Sequence, residues 1–261
     1  MAGSSDPGRV RERVLGCPVD VVDMQAAVRV LVGLVEDGRQ PGAGRPAVVI
    51  TLNPEMVMRA RHDARFRDIV ESAALLVPDG IGLVRALRRR GHPEATRVGG
   101  TDLLLAYFPE AARLGHRVAL AGAARGVAKL AAERLSRSHP GLQVVTADPG
   151  DPDVALAGRL RQAGPDVVLA AFGAGRQERF LSENLAGIGA PVGIGVGGSL
   201  DYFAGRVRRA PQLVRRAGLE WAWRLARQPW RLRRQAVLPG YWWLERREAA
   251  RMRQQLGAPV G

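Results

Sequence analysis

Short apolar runs and longer stretches of helical spacing alternate along this chain. The stretch from Ala47 to Leu83, AVVITLNPEMVMRARHDARFRDIVESAALLVPDGIGL, sets the pattern. Its two apolar runs, Val48 to Leu52 and Leu75 to Val77, suit buried strands and are too short to stand as helices. Between them, Pro54 to Ser72 predicts a helix or a helix pair. Pro54 suits a first turn, and Asp63 is placed to cap a second segment. Upstream, Val14 to Val22 predicts a strand, Asp23 a cap, and Ala27, Val30, Leu31 and Leu34 one face of a helix. Asp37 to Pro46, rich in Gly and Pro, predicts a loop.

Downstream, Ile81 to Arg90 predicts a helix ending at Gly91. Arg97 to Asp102 predicts a loop into a helix that Thr101 or Asp102 would cap and that runs to about Leu114. Strands are expected at Arg117–Ala121, Gln143–Ala147, Val167–Phe172 and Val192–Val196, with helices at Gly126–His139, Asp151–Ala163 and after Gly175. Strands alternating with helices at this spacing argue for an α/β fold with a parallel sheet covered on both faces. Several strands end in glycine or small and acidic residues, as a nucleotide platform would. Neither a Gly-x-Gly-x-x-Gly turn with its distal acid nor a phosphate-loop lysine motif is present, which counts against a redox-type nucleotide-sugar epimerase.

Composition divides the chain. Residues 1–13 read as a disordered polar tail without the apolar core of a secretory signal, residues 14–204 as the core, and residues 205–261 as a basic helical appendage. The appendage holds all five tryptophans, Trp221, Trp223, Trp230, Trp242 and Trp243, among a crowd of arginines. Tryptophan and arginine on short amphipathic helices suit a membrane interface, where rings favour the headgroup layer and guanidinium meets lipid phosphate. The other reading is a helical cap that packs its tryptophans on the sheet domain, and the two are compatible. The formal net charge of +14 seeks polyanions. Lys129 is the only lysine, and a GC-rich coding bias accounts for an arginine preference as well as function does. Cys17 is the only cysteine, so no internal disulfide forms. No apolar run reaches the roughly eighteen residues of a membrane span.

Open α/β sheets bind ligands at the carboxyl ends of their strands, so the polar tips Thr51-Leu52-Asn53-Pro54 and Pro78-Asp79-Gly80 predict two walls of one site. Asp79 reads either as a general base or as a turn-capping aspartate before glycine. Asn53 reads as a site residue, as a helix N-cap, or as both. Asp148, Asp151 and Asp153 read as a solvated turn rather than a metal site, and the four histidines show no ligand spacing.

Five motifs then occur in order: Thr51-Leu52-Asn53-Pro54-Glu55, Pro78-Asp79-Gly80-Ile81-Gly82, Arg97 to Asp102, Phe172 to Glu178, and Gly195 to Asp201. Together with Arg209-Ala210-Pro211 and Gly218-Leu219-Glu220-Trp221 they resemble the WecG/TagA/CpsF glycosyltransferases, family 26, over roughly Leu15 to Arg234. The resemblance implies a Rossmann-like core and an inverting transfer of an N-acetylmannosamine-type sugar from a UDP-sugar to polyprenyl-diphosphate-linked N-acetylglucosamine. It implies Asp79 as the base, with Thr51, Asn53 and Arg97 beside it. Gln177 and Asp201 fall near the nucleotide-sugar, and Arg224, Arg231 and Arg234 at the diphosphate. Gly175-Arg176 stands where the family has Pro-Lys, and Leu200 where it has Phe. The resemblance further implies no cofactor and no metal, an anionic membrane surface as partner, a possible homo-oligomer, and a cytoplasmic, peripheral location on the inner membrane face. A nucleic-acid-binding protein and a non-catalytic membrane-associated scaffold are the competing expectations; the first would leave the strand-end motifs without a purpose.

Overall fold

The computed structural model describes residues 9–148, 150–207, 211, 223 and 235–257. A hairpin of β1 (Arg11–Val14) and β2 (Cys17–Asp20) comes first. The single strand expected from Val14 to Val22 is instead folded back at Leu15 and Gly16, whose φ angles are 51° and 85°. Two consecutive left-handed residues form the tight turn whose twist matches paired strands. The hairpin also starts inside the stretch expected to be tail. Asp20 is fully buried and accepts from Arg11 Nε at 2.7 Å and from Leu76 N at 2.7 Å. The hairpin thus covers one edge of the main sheet, where an open ladder would otherwise invite another strand.

The alternation then runs as α1 (Met24–Arg39), β3 (Ala47–Leu52), α2 (Pro54–His62), α3 (Ala64–Ser72), β4 (Leu75–Pro78), α4 (Ile81–Arg89) and α5 (Gly100–Leu114). It continues with β5 (Arg117–Gly122), α6 (Val127–Ser138), β6 (Gln143–Asp148), α7 (Val154–Ala163), β7 (Val167–Ala171), α8 (Arg176–Ile188), β8 (Val192–Gly195) and α9 (Ser199–Phe203). The main sheet has the order β4-β3-β8-β7-β5-β6, and its neighbouring strands pair in parallel. This is a Rossmann-like α/β arrangement. Strand residues sort to opposite faces with period two. Val49, Leu75, Val77, Val118, Leu120, Val167, Leu169 and Ile194 meet α1, α5, α6 and α9 on one face. Ile50, Leu52 and Leu76 meet α2, α3 and α4 on the other. On that same face, Ala119, Ala121, Val168 and Ala170 pack with α7 and α8.

Capping follows the sequence in most places. Asp23, Asn53, Asp63 and Asp153 accept from the backbone of the turns they precede. Helix α5 differs: Gly99 is its N-cap, and neither Thr101 nor Asp102 caps it. At the amino ends of the strands a polar network closes the sheet. Tyr107 Oη lies 2.6 Å from His116 Nδ1, and His116 Nε2 lies 2.7 Å from Glu36 Oε1. Arg39 joins Glu36 and Asp166, each at 3.1 Å.

The last described element, α10 (Leu238–Gly257), lies on the core rather than apart from it. Tyr241 is fully buried, and Trp242 and Leu244 pack with the cluster under α2 and α4. Glu245, also fully buried, pairs with Arg89 and Arg90, and Glu248 pairs with Arg90. Glu248 also accepts from Leu15 N at 2.9 Å. Trp243, 57% exposed, faces outward with the Arg247 guanidinium 4.5 Å from its ring centre. Trp242 thus follows the cap reading, while Trp221 and Trp230 lie outside the described residues. No helix among the described residues is long and apolar enough to cross a membrane.

Candidate active site

All parallel strands end on one rim, and the expected motifs gather there. Register pairs Thr51 with Val77 and Leu52 with Pro78, so Asn53 and Asp79 leave adjacent strands side by side. Asp79 N donates to Leu52 O at 2.8 Å and extends the ladder by one bond. Gly80 then takes φ +132°, a conformation that L side chains rarely adopt, and turns the chain into α4.

The Asp79 carboxylate is held from two sides. Arg97 Nε and Nη2 both reach Oδ1 at 3.0 Å. Gly100 N, in the first turn of α5, donates to Oδ2 at 3.3 Å. The amino end of a helix favours negative charge, so α5 is capped by a carboxylate from another strand. The Asp79 side chain remains 25% exposed, enough for a substrate hydroxyl to approach.

The glycines of Arg97-Val98-Gly99-Gly100 have a steric reason. A Cβ on Gly99 would lie 2.7 Å from Arg97 Nη2, and one on Gly100 would lie 3.0 Å from Thr51 Cγ2. Thr51 thus packs against the backbone that holds Asp79. Asn53 Oδ1 accepts from Met56 N at 3.0 Å, so the cap is real, and Nδ2 is not used by it. A buried pair of hydroxyls, Thr101 Oγ1 and Ser199 Oγ at 2.8 Å, links the start of α5 to the start of α9.

Gln177 lies on the β7 and β8 side of the rim. Its Oε1 accepts from Gly197 N at 3.0 Å, and its Nε2 donates to Glu178 Oε1 at 2.7 Å. Asp201 sits in the first turn of α9, where burial raises its pKa against the opposing pull of Arg206. The connection after β5 leads outward to β6, while that after β7 leads inward to β8. Such a reversal marks the place where open α/β sheets bind ligands; here the Phe172 ring lies against Gly122, where a Cβ would come within 2.5 Å of it, and Ala123 N donates to Ala171 O at 3.1 Å.

The structure thus joins Asp79 and Arg97 by direct contact, packs Thr51 against the Gly100 backbone that also holds Asp79, leaves Asn53 alongside, and sets Gln177 and Asp201 on the same rim. Arg224, Arg231 and Arg234 lie outside the described residues. Sequence reasoning missed Glu178, whose only signal was its place beside Gln177, and the hydroxyl pair, which carried none. Among the described residues no group of three His, Cys, Asp or Glu could hold a metal ion. Asp148 is taken by Arg159 and Gly150 N, and Asp153 caps α7. A cavity of about 280 Å³ lies beyond α2, lined by Met56, Met58, Arg59 and Val237 among others, and does not include Asp79.

This arrangement offers a part-exposed carboxylate, a guanidinium bound to it, and two glycine-rich loops at the ends of β7 and β8. Comparison with known proteins identifies the family. The model of the glycosyl transferase WecG/TagA/CpsF family matches residues 12–255. The chain is 34% identical over 197 residues to the N-acetylglucosaminyldiphosphoundecaprenol N-acetyl-beta-D-mannosaminyltransferase of Bacillus spizizenii, covering 75% of this chain and 77% of that one. The protein of the same name from Bacillus subtilis is 33% identical over the same shares.

Proposed function

This chain belongs to the WecG/TagA/CpsF family of glycosyltransferases, and from that premise we propose that it moves an N-acetylmannosamine-type sugar from a UDP-sugar to a polyprenyl-diphosphate-linked N-acetylglucosamine. The transfer is a single inverting displacement. As the acceptor oxygen bonds to the anomeric carbon, its proton passes to Asp79, and the bond to UDP breaks with its electron pair on the diphosphate. An alcohol attacks poorly until a positioned base takes its proton. The carrying observation is the part-exposed Asp79 carboxylate at the strand end, fixed by Arg97 and Gly100 N.

Departing UDP gains negative charge, and arginine forks can meet it without a metal. The resemblance gives that task to Arg224, Arg231 and Arg234. The exposed Trp243 with Arg247 against its ring supports attachment to an anionic membrane surface, where the lipid acceptor resides. Self-association through the core belongs to the same reading.

The test follows UDP release from a panel of UDP-sugars with a polyprenyl-diphosphate-N-acetylglucosamine analogue. Asp79→Asn should lower turnover by roughly 10²–10⁴-fold, the usual worth of a general base, with little change in melting temperature. A near-normal rate in that variant rejects the base, and loss of turnover in chelator rejects the metal-free departure.

A further inference from the structure

Two glycine-rich loops follow β7 and β8, and a buried chain of hydrogen bonds ties them together. Gly197 N–H can only donate, so the atom of Gln177 facing it must be the oxygen, at 3.0 Å. Gln177 Nε2 then points the other way, onto Glu178 Oε1 at 2.7 Å. The second oxygen of Glu178 accepts from Gly175 N at 2.5 Å. Gln177 and Glu178 are only 4% and 1% exposed. Strand β8 makes room for them: a Cβ on Gly195 would lie 2.5 Å from Gln177 Nε2 and 2.6 Å from Glu178 Oε1. Burial pushes the Glu178 pKa up, while the bonds from Gln177 and Gly175 pull it down. A helix cap needs only the Gly175 bond; the other oxygen is spent on orienting an amide.

We propose that Glu178 is a positioning residue for donor binding. Its two acceptor oxygens set the direction of the Gln177 amide, and through that amide they lock the Gly197 loop against the Gly173–Gly175 loop. The pair of loops then forms a prebuilt wall for the nucleotide-sugar. The lock stands on geometry alone; its effect on donor binding rests on the proposed function above.

Polarity supplies the test. In Glu178→Gln one acceptor becomes a donor. Either the new amide faces Gly175 N–H, or it turns the Gln177 amide so that a donor meets Gly197 N–H. One loop bond fails in both cases. In full-length Glu178→Gln, amide hydrogens of the Gly173–Gly175 or Gly197–Gly198 segment should exchange about tenfold faster. The donor KM should rise about tenfold while kcat stays within about threefold. The swapped pair Gln177→Glu/Glu178→Gln restores every bond: the carboxylate accepts from Gly197 and from the new amide, whose oxygen accepts from Gly175. Its exchange should return to within about twofold of the parent.

Unchanged exchange in both loops of Glu178→Gln overturns the lock, as does a swapped pair no better protected than the single variant. Faster exchange with an unchanged donor KM leaves the lock standing and overturns its role at the donor. Should Glu178→Gln not fold, folding of the swapped pair supports the relay, and failure of both rejects it.

Discussion

Gly100 cannot carry a side chain without moving Thr51. Its Cβ would sit 3.0 Å from Thr51 Cγ2, and its own N–H holds Asp79. Gly100→Ala should therefore displace the carboxylate by a few tenths of an ångström and lower turnover about tenfold, since misplaced groups lose rate steeply. Adding Thr51→Ser, which removes that methyl group, should recover part of the loss in the same UDP-release assay; no recovery would show that Thr51 is not the obstacle. Cys17 makes a different prediction. Burial pushes its thiol up to about 11, and the thiolate is the reactive form. The folded protein should resist alkylation at pH 8 and react once denatured, as mass spectrometry would show. At this scale the local caps were readable, because Asn53 and Asp63 bond within their own turns. The cap of α5 was not, because its partner Asp79 comes from another strand. Tertiary contact decides such a position, and spacing along the chain does not reveal it.

Helix α10 grips α4, the helix that begins two residues after Asp79. Gly82 is the point of contact: a Cβ there would lie 2.8 Å from Pro54 Cγ and 3.1 Å from Tyr241 Cε1. Overpacking of this kind costs about 1–3 kcal/mol, so Gly82→Ala should lower the melting temperature. Glu245→Ala should cost more, about 3–5 kcal/mol in chemical denaturation, because it leaves the buried Arg90 short of a partner. A loss under about 1 kcal/mol would mean that Glu248 compensates alone. The existence of the six main strands and of the helix pair after Pro54 was legible in short apolar runs and helical spacing. The β1–β2 hairpin was not, since its turn places a leucine in a left-handed conformation that leucine rarely adopts. The docking of α10 was one of two readings, because tryptophan and arginine suit a protein groove and a lipid headgroup equally well.

Across the whole molecule the α/β class was legible from alternation, whereas the appendage's packing on α2 and α4 was one of two readings open for its tryptophans. The polar network at the amino ends of the strands makes acid stability predictable. The hydrogen bond from His116 holds the Glu36 carboxyl below its ordinary range. A lowered carboxylate pKa stabilises the fold above the unfolded value and loses that contribution as the pH falls through the folded value. Melting temperature should therefore drop between about pH 5 and pH 3, and less steeply in Glu36→Gln; equal slopes would exclude Glu36 from the effect. This network and the Asp79 cluster stand at opposite ends of strands that rise about 3.3 Å per residue, with no side chain in common. Their substitutions should be thermodynamically independent, with double variants summing to within about 0.5 kcal/mol. A reinforced background built at the amino-end rim would then rescue folding of crippled catalytic variants without touching their chemistry, which gives each strand-end residue a fair trial.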